Sequence, residues 1–471
     1  MFGGSAPPYG GSAVPGAVPS LASMRQASKR DIPQSPHLPR SAHPTRSSRP
    51  SGIRRTGAAV LAGALGFALT IAPSPAVAEP VADSDAGFRF DLPEPSGPYS
   101  IGTTELHLVD EDRTDPWGAE ADRELMTSVW YPAKRGPERE RAAYMHQEVG
   151  DELFKRVELD PGTVDVQGTR TSAITDAPLD RSLGERPVVL YSPGFGSVRG
   201  LGTVHVQELA SQGYVVVTMD HTGEAPVRFP DGHVDTDRVG DFSPEAIRTA
   251  VEARVADARF VLDRLEEIQG GDDSGIEGGE VPRGLEAGLD LENIGMFGHS
   301  MGGATSIHTM YEDERVDAGI DLDGTVTSRQ DDGEFEKRFP VALEGLDRPF
   351  MFMGGSSVEE GGERAPHTHR TFDDWGDLWD NSPGWKLDIN FPQARHMSFT
   401  DLQLTLPQLE DAGIVPEGTV RESLGDAPDR PRLLRSQNAY ITAFFDEHLK
   451  HEPQPILDGE SPEHPDARFI D

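Results

Sequence analysis

"NIGMFGHSMGGATS" (residues 293–306) passes from an apolar run through Gly298-His299-Ser300-Met301-Gly302 into a stretch able to continue as a helix. The run "NIGMFG" reads as a strand buried on both faces, and "MGGATSIHTMYE" as the helix after it. A serine at such a junction, with glycine two positions to either side, fits G-x-S-x-G. The turn holds the serine in a strained conformation that exposes its hydroxyl, and side chains at the glycine positions would collide. The pentapeptide alone is a weak signal, whereas a strand before it and a helix after it make it strong. The competing reading is a glycine-rich helix start in a binding domain.

The same alternation spreads in both directions. Residues 125–133, 186–194, 214–221, 293–300, 318–324, 348–355 and 385–392 read as strands, several of them continuous β-branched or aromatic runs. Helices are expected at about 202–212, 244–269, 301–313 and 432–450. In the second, Ile247, Val251, Val255, Ala258 and Leu262 recur at helical spacing behind Pro244, a residue suited to the first turn. This pattern predicts the α/β class, a mostly parallel, doubly wound sheet with helices on both faces. Residues 134–180 are the least regular and read as an insertion over the sheet edge or the site. Residues 270–284 and 328–337 read as solvated loops, since neither has the ligand spacing of a calcium loop.

The 471 residues carry 80 acidic and 43 basic side chains, a net charge of −37, and no cysteine. Disulfides and thiolate metal sites are excluded, and the field disfavours nucleic acid and anionic membrane surfaces. The first 78 residues differ: Asp31 is their only acid, and residues 1–50 are rich in Ser, Pro and Gly, a disorder-prone extension. Residues 51–78 then place Arg54-Arg55 before an apolar run from Gly57 to Ala72 and end on Ala76-Val77-Ala78. That is the layout of a secretory signal cleaved after about Ala78, leaving 79–471 as a secreted catalytic domain, and the run is short for a membrane span.

Serine hydroxyls are poor nucleophiles, so Ser300 needs a histidine to take its proton and a carboxylate to orient that histidine. Partners are expected at the carboxyl ends of later strands. His396 directly follows the last predicted strand and is the preferred base. His299, His308 and His205 are set aside by position, and His367 and His369, in a polar loop, are weaker contenders. For the acid, Asp323 ends "AGIDLD" and precedes Gly324, which lets the chain turn away. Asp321 shares its face but lies deeper, Asp317 is at the far end, and Glu359 or Glu360 form the rival site after the next strand. The oxyanion calls for two amides, assigned to Met301 and to Phe195 in "YSPGFGSVRG", although a simple glycine turn also explains that loop.

With these residues assigned, the chain resembles the plasma-type platelet-activating factor acetylhydrolase family within the α/β hydrolases. The similar features are "SPGFG", "ELASQGYVVVTMDHTGEA", "GHSMGG", "GIDLDG" and "RHMSFTD", with "ELMTSVWYPA" upstream. The resemblance implies an α/β-hydrolase fold and an acid on the strand after the nucleophile helix, which favours Asp323. Pro193 stands where that family commonly has histidine. "GHSMGG" is also similar to secreted bacterial lipases and cutinase-like esterases. The expectation is a secreted serine esterase without metal or organic cofactor, acting on short or oxidised acyl groups of phospholipids. Triglyceride or polyester hydrolysis is the alternative, and a non-catalytic binding protein on the same scaffold the more distant one.

Overall fold

Six strands run parallel through the centre of a 12-stranded sheet, and the predicted apolar runs supply all six. The computed structural model describes residues 87–118, 121–136, 140–240, 243–326, 339–358 and 364–471. The N-terminal extension, the signal-like segment, the acidic stretch 328–337 and both rival glutamates, Glu359 and Glu360, lie outside these residues.

In chain order the strands are β1 (Ile101–Thr114), β2 (Asp122–Pro132), β3 (Arg141–Ala143), β4 (Arg170–Thr175), β5 (Arg186–Ser192), β6 (Val215–Met219), β7 (Val227–Arg228) and β8 (Val234–Asp235). They continue with β9 (Ile276–Gly278), β10 (Leu289–His299), β11 (Val316–Leu322), β12 (Phe350–Gly354), β13 (Ser356–Val358), β14 (Arg364–Pro366), β15 (Lys386–Asn390) and β16 (Arg468–Phe469). The sheet order is β16-β15-β12-β11-β10-β5-β6-β2-β1-β4-β3, with β9 on β1; β7-β8 and β13-β14 are separate ribbons. From β15 to β6 every pairing is parallel, and β2 joins β6 antiparallel.

Alternation along each strand divides the core in two. Val188, Leu190 and Met296 face one layer, where the Pro244–Gln269 helix contributes Val251, Val255, Ala258 and Leu262. Val189, Tyr191 and Phe297 face the other, against Val206 and Leu209 of the Thr203–Ser211 helix and Phe444 and Phe445 of the Arg430–His448 helix. Each such apolar side chain contributes about 1.5–3 kcal/mol on burial. That exceeds the roughly 1 kcal/mol of a cap such as Ser243, which accepts from the Ala246 amide at 3.2 Å, so packing holds the long helix in place.

The antiparallel edge departs from the expected elements. β1 was not foreseen, because its alternate positions are charged. Glu105 sits there against Arg199 and His146, and Asp110 against Arg113. Burial alone would raise the Glu105 carboxyl, but the Arg199 guanidinium and the hydrogen bond with His146 hold it down at about 2. Residues 134–180 build β3, β4 and the Gln147–Lys155 helix, extending the sheet edge. The loop expected at 270–284 contributes β9, paired to β1.

Candidate active site

Ser300 stands between β10 and the Met301–Glu312 helix with φ 56° and ψ −125°, a conformation unfavourable for any residue with a side chain. Its amide donates to the Leu322 carbonyl at 2.9 Å and its carbonyl accepts from the Ala304 amide at 3.1 Å, so main-chain bonds hold the turn. The flanking glycines are required by contact. A Cβ on Gly298 would meet the Gly302 backbone at 2.4 Å, and one on Gly302 would lie 1.9 Å from the Ser192 carbonyl oxygen. The helix start thus rests directly on the end of β5.

Asp323 follows β11, also at positive φ, 59°. Its buried carboxylate accepts three bonds: Oδ2 from His396 Nδ1 at 2.7 Å, and Oδ1 from the Gly355 amide at 2.7 Å and His367 Nδ1 at 3.0 Å. Burial alone would raise this carboxyl, but His367 and His396 hold it well below the usual carboxylate range. With the Nδ1 proton of His396 committed to Asp323, Nε2 keeps its lone pair, the tautomer needed to accept a hydroxyl proton. The His396 ring lies 4.5 Å from that of His299, the residue before Ser300. His299 Nε2 donates to the His396 carbonyl at 2.9 Å, fixing the backbone of the base. Burial, and then His396, push His299 down to about 3, so it is neutral.

Gly194, in the loop after β5, backs onto this turn: a Cβ there would lie 3.3 Å from Ser300 Cβ. Phe195 follows it, and Met301 opens the helix, where first-turn amides have no intrahelical acceptor. Ser300, Asp323, His396, Phe195 and Met301 therefore gather at the carboxyl ends of β5, β10, β11 and β15.

The remaining candidates have structural partners. His367 and His369 lie in a loop, as expected, but the loop packs inward: His367 is buried and stacks on Trp375 at 3.9 Å, and the half-buried His369 stacks on Trp379 at 4.0 Å, with His369 Nδ1 bonded to Asp388 at 2.7 Å. The aromatic-rich 372–379 segment was the sequence signal for this. Asp317, at the far end of the strand, is half-buried and accepts from the Ile294 amide at 2.9 Å, bracing β10. Asp321 lies deeper than Asp323, as expected; it is fully buried and accepts from the Gly324 amide at 2.7 Å, supporting the turn that carries Asp323.

Burial pushes the Asp321 carboxyl up to about 8, so the folded protein retains a proton that the unfolded chain loses near pH 4. Its surroundings are the Gly324 amide, His367 and the carboxylates of Asp323 and Asp374. Since the native state binds the extra proton, this residue makes stability fall as pH rises from about 4 to about 8. Asp321→Asn, with the same shape and no ionisation, is expected to raise the thermal midpoint relative to wild type at pH 8 and leave it nearly equal at pH 4. An equal difference at both values would refute a neutral Asp321.

A family model described as platelet-activating factor acetylhydrolase, isoform II, matches residues 88–228 and 238–342, more than half of the chain. The chain belongs to this family. The matched segments hold Phe195, Ser300, Met301 and Asp323, while His396 lies beyond them. Among similar proteins is a probable 1-alkyl-2-acetylglycerophosphocholine esterase of Arthroderma benhamiae, 26% identical over 412 residues, 81% of this chain and 94% of that protein. The platelet-activating factor acetylhydrolase of Cavia porcellus is 27% identical over 49% of this chain and 55% of its own length. A solved ferulic acid esterase from Streptomyces cinnamoneus superposes with a TM-score of 0.64 at 33% identity, covering 82% of this chain and all of that one. This acetylhydrolase-family chain is an ester hydrolase of the α/β-hydrolase fold.

Proposed function

We propose that the chain is a secreted serine hydrolase that cleaves carboxylic esters, short-acyl phospholipid esters foremost, through an acyl-enzyme on Ser300. The observation that carries this reading is the 2.7 Å bond from His396 Nδ1 to Asp323, formed beside the strained Ser300 turn. In the proposed reaction Ser300 Oγ attacks the ester carbonyl carbon as His396 Nε2 takes its proton. The amides of Phe195 and Met301 hold the resulting oxyanion. Collapse expels the alcohol, which takes the proton from His396, and leaves the acyl group on Ser300. Water, deprotonated by His396, then attacks the acyl carbonyl, and collapse of that intermediate breaks the bond to Ser300 Oγ, which takes the proton back from His396 as the acid leaves.

Secretion is supported by the arginine pair, apolar run and Ala76-Val77-Ala78 of the N-terminal region. The phospholipid substrate is supported by the relatives named for acetylglycerophosphocholine and for platelet-activating factor. A second reading, esters of aromatic acids, is favoured by the ferulic acid esterase, which is more similar in sequence than those relatives. Enzyme collected from culture medium, its N-terminus read by sequencing, separates these readings when assayed on an acetylglycerophosphocholine, its long-chain diacyl counterpart, methyl ferulate, a triglyceride and a polyester film. The expected result is an N-terminus at Glu79 and a kcat/KM at least about tenfold higher for the acetyl substrate, a preference of roughly 1.4 kcal/mol. Highest turnover on methyl ferulate, triglyceride or film would replace the phospholipid assignment, and enzyme retained in cells would remove secretion.

A further inference from the structure

The Pro244–Gln269 helix buries two charged side chains, Arg254 and Asp257, on its otherwise apolar face. All five N–H groups of the Arg254 guanidinium have acceptors. Nε donates to the Glu224 carboxylate at 3.0 and 3.1 Å, and Nη2 to Glu224 Oε2 at 2.6 Å. The other Nη2 proton goes to the Gly194 carbonyl at 3.2 Å, and Nη1 serves the Pro193 carbonyl at 2.6 Å and Ser192 Oγ at 3.3 Å. One buried cation therefore grips three successive residues at the end of β5, immediately before Phe195.

A second chain of bonds meets it there. Ser192 Oγ lies 2.8 Å from His221 Nε2, and His221 Nδ1 lies 2.9 Å from Asp257 Oδ2. Asp257 is itself clasped by Arg123, through Nε at 3.0 Å and Nη2 at 2.6 Å. An ionised Asp257 accepts from His221 Nδ1, which leaves Nε2 to accept the Ser192 proton and the Ser192 oxygen to accept from Arg254. The order resembles a serine-histidine-aspartate triad, but every member is buried, so Ser192 cannot meet substrate. Apolar side chains would fill such a space at equal or lower cost than buried ion pairs. What the buried network adds is a fixed geometry for the two loop carbonyls that Arg254 holds.

In a trans peptide the C=O of one residue and the N–H of the next point in opposite directions. Drawing the Gly194 carbonyl inward to Arg254, and also to the Ser197 amide at 3.0 Å, fixes the plane of the Gly194–Phe195 peptide. We infer that Arg254, supported by the Ser192–His221–Asp257 chain, is the positioning residue that sets the Phe195 amide as an oxyanion donor. The inference rests on the proposed ester-cleaving role of Ser300. Arg254 does not touch substrate; it acts through the loop.

The test compares an aryl acetate with its thionoacetate, whose larger, weakly accepting sulfur gains little from an oxyanion site. Their rate ratio does not depend on how much of a sample is folded. Arg254→Lys keeps the charge opposite Glu224 but has three donors and no planar fork, so it cannot reach both carbonyls. In the full chain it is expected to lower kcat about 10- to 100-fold with KM within about threefold, and to reduce the oxo-to-thiono ratio by a similar factor. Ser192→Ala, which removes one oxygen and is the variant to use if Arg254→Lys fails to fold, should reduce that ratio at least about twofold. A ratio unchanged in Arg254→Lys, or in Ser192→Ala where the lysine variant does not fold, overturns the inference. Turnover by Ser300→Ala close to the wild-type rate would instead overturn the role of Ser300 on which it rests.

Discussion

Ser300→Ala is expected to reduce kcat/KM for an acetyl ester by at least about 10⁴-fold while leaving the thermal midpoint near that of wild type. The structure separates these effects. The main-chain bonds from the Ser300 amide to Leu322 and from Ala304 to the Ser300 carbonyl do not involve the hydroxyl. The positive φ is equally unfavourable for serine and alanine, so the substitution adds no strain. What disappears is the oxygen that attacks. Any residual hydrolysis would come from the oxyanion donors and substrate binding acting on water.

Asp323→Asn is the second large expectation, a loss of about 10³- to 10⁴-fold in kcat together with a loss of stability. The carboxylate accepts from Gly355, His367 and His396, and a carboxamide offers one acceptor and one donor in its place. At least one of the three donors then faces an N–H group. If that donor is His396 Nδ1, the ring turns to the tautomer with Nε2 protonated, which cannot take the Ser300 proton. A buried mispairing costs about 1–3 kcal/mol. The sign of the pH effect follows from the depressed Asp323 carboxyl. Its stabilisation is present above the unfolded value of about 4 and is lost as pH falls toward the folded one, so wild type and variant should converge in strongly acid solution. Undiminished turnover by Asp323→Asn would transfer the role of acid to Glu359 or Glu360.

Much of the centre of the molecule is readable from the chain because its signals are local. The strand, turn and helix around Ser300 are continuous over 293–312, and Asp323 and His396 each follow an apolar run directly. The α/β-hydrolase class and family resemblance read from those segments agree with the matched family and the solved esterase. The antiparallel edge is less legible, since β1 carries Glu105, His107 and Asp110 at positions where a half-buried strand is expected to be apolar or solvated. Arg199, 94 residues away, and His146, 41 residues away, make Glu105 tolerable there.

Residues around the site were hidden for the same reason. His367 lies 44 residues from Asp323 in what reads as a polar loop, and burial under Trp375 and Phe372 is a tertiary fact. Arg254 and Asp257 were the more accessible omission. Helical spacing places Arg254 between Val251 and Ala258 on the apolar stripe, where a charge needs a partner. His221 ends the "YVVVTMDH" run at the same carboxyl edge as the other site residues, a local signal in the sequence for a residue near the site.

The central claim is that Ser300 is the nucleophile, and covalent labelling tests it most directly. Wild-type enzyme treated with a fluorophosphonate and analysed by peptide mass spectrometry should carry one phosphonyl group, on the peptide containing Gly298-His299-Ser300-Met301-Gly302, and Ser300→Ala should carry none. A wild-type protein that hydrolyses esters without taking the label, or a Ser300→Ala protein that takes it to the same extent, would contradict the account.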